Sequence, residues 1–88
     1  MARADRVRIA AAKLSGIAAA VAHVRRVGED EALGEVAAVL DTLPRSQRQA
    51  ALDRAIVAYV TPSSGLADPW YPAAAAFLRR AGAQDRGT

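Results

Sequence analysis

The chain has 88 residues, a net charge of +3 and no cysteine, and 52% of it is hydrophobic while only 5% is aromatic. This is the length and composition of one globular domain, and it excludes disulfides, thiolate metal sites and thiol nucleophiles. Much of the hydrophobic fraction is alanine, and a domain this small buries only roughly 60–65% of its unfolded surface, so the core is predicted to be thin and to gain burial from a second subunit or a partner.

The longest periodic stretch runs from Val7 to Val27. Val7, Ala10, Leu14, Ile17, Val21 and Val24 recur at alternating steps of three and four, which places them on one helical face. Ala11 and Ala18 widen that face. Asp5 stands where it caps or charges the first turn, Arg25 and Arg26 fall in the last, and Gly28 occupies the place of a left-handed C-cap. Such a helix is on the order of 30 Å long, so shorter elements are expected to pack along it. Arg3, Arg6 and Arg8 precede an alanine-rich run in the manner of a signal peptide. Lys13 interrupts that run and the periodicity continues through Arg25, so a soluble helix in the cytoplasm is expected. No uninterrupted apolar run approaches the roughly 20 residues that span a bilayer, and no membrane partner is expected.

Glu29, Asp30 and Glu31 open a second helix with acid at the positive end of its dipole. Its apolar stripe is Leu33, Val36, Ala37, Leu40 and Leu43, and Pro44 ends it. A third helix starts at Pro44 or at Ser46, where Ser46 and Gln49 fit a capping box. Leu52, Ala55, Ile56 and Tyr59 form its buried face, with Ala51 and Val60 beside it. Thr61-Pro62-Ser63-Ser64-Gly65 is the clearest breaker in the chain.

Asp68 and Pro69 read as N-cap and first residue of a fourth helix, unless Pro72 delays the start and leaves Trp70 and Tyr71 in an irregular lead-in. Ala73, Ala74, Phe77, Leu78 and Ala81 make its stripe, and Gly82 is the expected C-cap. Residues 1–82 are therefore predicted to form a single all-α domain of about four helices, the first long and three shorter, bundle-like and oligomeric. Residues 83–88 are predicted to be a mobile C-terminal tail.

Charge is segregated along the chain. Residues 1–28 carry a net +5 and residues 29–43 a net −5. If the first two helices pack together their fields largely cancel, and the sequence pI of about 10.2 overstates any affinity for nucleic acid.

Few residues suggest chemistry. His23 is the single histidine, with no second imidazole or thiolate to complete a metal set, and it reads as an edge residue. Glu31 and Glu35 share a helical face and read as a solvated acidic surface. There is no Gly-rich phosphate loop and no nucleophile elbow, so neither a catalytic site nor a cofactor is expected. Trp70 and Tyr71, set between Pro69 and Pro72, either close the end of the bundle or form a partner-binding anchor.

Leu43-Pro44-Arg45-Ser46-Gln47-Arg48-Gln49-Ala50-Ala51-Leu52 resembles the opening of the promoter-reading region of sigma factors, where such a stretch starts the first helix of a DNA-binding module. The resemblance implies a tight turn next and then a polar recognition helix. The chain departs from that pattern after these residues, with a longer loop at Thr61–Gly65 and an alanine-rich fourth helix.

The expected function is a small helical protein–protein interaction module or accessory subunit without catalytic activity. The alternative is a small DNA-binding regulator or chromosome-associated protein that uses arginine clusters, with Arg45, Arg48, Arg6 and Lys13 as the contacting cations. On that alternative the contacts go to phosphate, because no side-chain set suggests base readout.

Overall fold

The computed structural model describes residues 3–60 and 69–87. Four α-helices are formed: α1 (Arg3–Ala19), α2 (Glu29–Leu40), α3 (Arg45–Val60) and α4 (Tyr71–Gly87). A π turn, Ala20–Val24, prolongs α1. There is no strand among the described residues. The breaker at 61–65, the cap at Asp68 and the extreme termini lie outside them.

The four helices pack as one small bundle organised on α1, which touches each of the other three. Its most extensive neighbour is α3, and α3 packs in turn on α4; α2 lies against α1 and α4. The radius of gyration is 12.4 Å, matching the roughly 12 Å expected for a compact chain of this length. Phe77, Leu14, Leu40, Leu52, Leu78 and Val36 are its largest fully buried side chains. Nine of the seventeen buried apolar residues are alanines, among the described residues. A buried leucine or phenylalanine contributes about 1.5–3 kcal/mol, against roughly 0.8 kcal/mol for one methylene-sized group, so the core is thin as the composition implied.

The predicted stripes largely become the core. Leu14, Ala10, Ala11 and Ala18 of α1 are buried, and Val7, Ile17 and Val21 are half-buried against them. Val36, Leu40 and Leu43 follow from the second stripe, Leu52, Ala55 and Tyr59 from the third, and Ala74, Phe77, Leu78 and Ala81 from the fourth.

Five local expectations are corrected. First, α1 does not run as α-helix to Val27. The π turn inserts extra residues before the next carbonyl is met, with the N–H of Arg26 reaching Ala20 O at 3.2 Å. This breaks the three-and-four spacing, and Val24 turns outward to 53% exposure. Second, the left-handed residue is Arg25, at φ 56° and ψ 36°, and not Gly28. Gly28 is extended and serves as N-cap of α2, its carbonyl accepting the N–H of Ala32 at 3.0 Å. Third, Pro44 O accepts the N–H of Gln47 at 2.9 Å, so α3 starts at Arg45 and Ser46 lies inside it. Gln49 accordingly bonds to Asp53 at 2.8 Å, and the capping box is not formed. Fourth, α4 starts at Tyr71, Trp70 O accepting the N–H of Ala74 at 3.0 Å. Finally, α4 continues through Gly82 to Gly87. Gly82 is buried inside the helix, where a Cβ would stand 3.3 Å from Leu52 Cδ1; it serves close packing on α3 and not termination.

One helix, Ala4–Val24, is long and apolar enough on average to cross a membrane, although Lys13 interrupts it; only 22% of its most apolar window is buried in the bundle.

Candidate interaction site

The π turn, the end of α3 and the start of α4 converge on a cluster of four rings. Trp70 stacks on His23 with centroids 4.6 Å apart and planes at 29°. It meets Tyr59 edge-on at 5.4 Å and Tyr71 at 4.9 Å, while Tyr59 and Tyr71 are 5.2 Å apart at 82°. Such geometry is worth about 0.5–1.5 kcal/mol per pair beyond area burial. Trp70 and Tyr71 are half-buried, so both rings are engaged inside the chain while part of each faces solvent.

Tyr59 is the inner member of the cluster. Its hydroxyl donates to the Ser15 carbonyl at 2.5 Å and ties α3 to α1. Burial, and then the neighbouring Tyr71, raise its pKa above the ordinary 10.0. At neutral pH the phenol is therefore a structural donor and not a base. The third stripe pointed to Tyr59. His23 reaches Trp70 only because the π turn rotates it there, and nothing in a 3.6-residue period signals that.

The four cations named for nucleic acid differ in how far each is engaged inside the chain. Arg48 is committed inside the chain: Nη1 reaches Asp85 at 3.4 Å, Nη2 reaches Asp41 at 3.5 Å, and Nε donates to Leu43 O at 3.3 Å. Its side chain is only 20% exposed. Arg45 is exposed in the first turn of α3. Arg6 and Lys13, although seven residues apart on α1, border different clefts: Arg6 with Ile9, Thr42 and Leu43, and Lys13 with α2. Two further arginines also join helices. Arg80 of α4 donates to Glu29 of α2, and Arg86 of α4 donates to Gln49 of α3 at 2.6 Å.

Among the described residues no group of three or more His, Asp and Glu side chains is placed to hold a metal ion. Gln47 is buried at 7% exposure, and its Oε1 has no hydrogen-bond partner among them. An open groove of about 720 Å³ lies between α1 and α2, lined by Ile17, Val27 and Val39 with Lys13, Arg26 and Glu35. The groove is open to solvent along its length, with mainly apolar walls and three charged residues at its border. No protein-family model matches the chain, and neither does a curated protein or a solved structure.

Proposed function

We propose that this protein is a non-catalytic helical interaction module, acting as an accessory subunit or through self-association. One observation carries the reading: only 22% of the most apolar window of Ala4–Val24 is buried in the bundle, and Ile9 and Val24 of that stretch are exposed. Apolar surface left in water costs free energy that association recovers. The alanine-rich core supports the same reading, since a small domain with little internal burial gains stability from bound surface.

The DNA-binding alternative sets the test. With Arg48 engaged by Asp41 and Asp85, two or three cations remain for any one phosphate track. The expected log–log salt slope is then about −2 to −3, at roughly 0.9 per phosphate. Anisotropy titrations of labelled duplex DNA over a salt series should give weak, sequence-independent binding that disappears at physiological salt. A nanomolar, sequence-specific complex at that salt would refute the module reading in favour of a DNA-binding regulator.

A further inference from the structure

We infer that the groove between α1 and α2 is a self-association surface whose occupant is the same groove of a second copy, related by a two-fold axis. The inference rests on the interaction-module reading and names its partner. Gly16 of α1, Ala20 of the π turn and Ala38 of α2 line the groove along with the larger Ile17 and Val39, so a second backbone can approach closely. A Cβ built on Gly16 meets nothing within 4 Å, which leaves this side of α1 open in the single chain.

Charge selects the occupant. Lys13 and Arg26 border the groove from the α1 side and Glu35 from the α2 side, and none of the three is in an ion pair among the described residues. The groove therefore carries both signs of charge, and Glu31, one turn before Glu35 on α2, is also exposed. In a two-fold contact each residue meets its counterpart's opposite number, and the exchange is reciprocal. Lys13 of one copy then faces Glu35 of the second, and Glu35 of the first faces Lys13 in return. A groove of one sign would repel its own copy and favour an oppositely charged partner; one that carries both signs can pair with itself. Glu31 and Glu35 also disfavour a phosphate backbone at this place.

Sedimentation equilibrium of the full chain, from dilute to concentrated, tests the inference with three variants. The wild type should approach twice the 9.2 kDa chain mass as concentration rises. Gly16→Arg fills the open face and should hold the protein at monomer mass, with helical circular dichroism retained. Glu35→Lys sets lysine against lysine twice per dimer and should weaken association by about tenfold or more. Lys13→Glu combined with Glu35→Lys restores the opposite pairing and should recover most of that loss. These charge variants decide the matter independently if Gly16→Arg lowers helix content. A wild type that stays monomeric, or a dimer indifferent to Gly16→Arg and Glu35→Lys, overturns the inference. In the second case the module reading survives with another surface, whereas that reading itself fails only in the DNA titration. Co-sedimentation of wild type, but not Gly16→Arg, with vesicles containing anionic lipid would assign the groove to a membrane surface and also overturn it.

Discussion

Tyr59→Phe isolates one hydrogen bond and one titration. Phenylalanine keeps the ring, its edge contacts to Trp70 and Tyr71, and the packing of a side chain that is 9% exposed. Only the hydroxyl is lost, and with it the 2.5 Å bond to Ser15 O that joins α3 to α1. A net intramolecular hydrogen bond contributes about 0.5–1.5 kcal/mol, and no methyl-sized cavity is created. A loss of about 1 kcal/mol lowers the melting temperature of a domain this size by roughly 4–8 °C. The pH dependence supplies a second reading. Folding raises the Tyr59 pKa above 10.0, by burial first and Tyr71 second. Above pH 10 the unfolded chain releases this proton while the folded chain keeps it, so the unfolded state binds fewer protons and stability falls as pH rises. The contribution is complete below pH 10 and is lost as pH climbs through the folded value. Thermal melts by circular dichroism from neutral to strongly alkaline pH should therefore show the wild type above the variant at pH 7, with the gap closing above pH 10. Equal melts at neutral pH, or a gap that ignores alkaline pH, would refute the assignment of Tyr59 as a buried inter-helix donor.

Denaturant unfolding should rank three neighbouring α1 positions: Leu14→Ala, fully buried, costs about 3 kcal/mol, half-buried Ile17→Ala about half as much, and Ser15→Ala only a few tenths. Equal losses at all three would mean the buried face is misassigned. Arg25→Gly relieves a left-handed backbone and should stabilise by about 1 kcal/mol, a gain absent if the helix ends elsewhere. Trp70→Ala removes three ring contacts and should lower stability by about 2–3 kcal/mol; unchanged melting with weakened partner binding would instead make Trp70 an interface anchor. Arg48→Met deletes two ion pairs and a bond to Leu43 O and should cost about 1 kcal/mol, measured by chemical denaturation at moderate salt.

The helices and their inner faces were legible because they depend on the 3.6-residue period, which local sequence carries directly. Leu14, Leu40, Leu52 and Phe77 belong to their predicted stripes and are all buried in the core. The ends of the elements were less legible. Gly28 and Gly82 have the chemistry of stops, yet one caps the start of the next helix and the other packs under Leu52. Glycine permits termination without requiring it, and the choice is made by what lies opposite. The π turn at Ala20–Val24 left no trace in the pattern, because Val21 and Val24 continue the stripe on paper. Which helices pack together is not carried by the period at all: α3 packs on α1 and α4.

The arginines show most clearly why a linear charge count misleads for this chain. Their clusters at residues 45–48 and 79–86 look like a basic surface until the acids separated in sequence are brought beside them. Arg48 then spans from Asp41 to Asp85, and Arg80 reaches Glu29. With so much of the core alanine, the guanidinium groups of Arg48, Arg80 and Arg86 link helices through polar contacts at their tips. Each pair so made removes a cation from the set available to phosphate. Among the charges outside these ion pairs are Lys13, Arg26 and Glu35, which edge the groove between α1 and α2. On the proposed reading, an apolar groove edged by both signs suits another protein surface of the same mixed kind better than a polyanion.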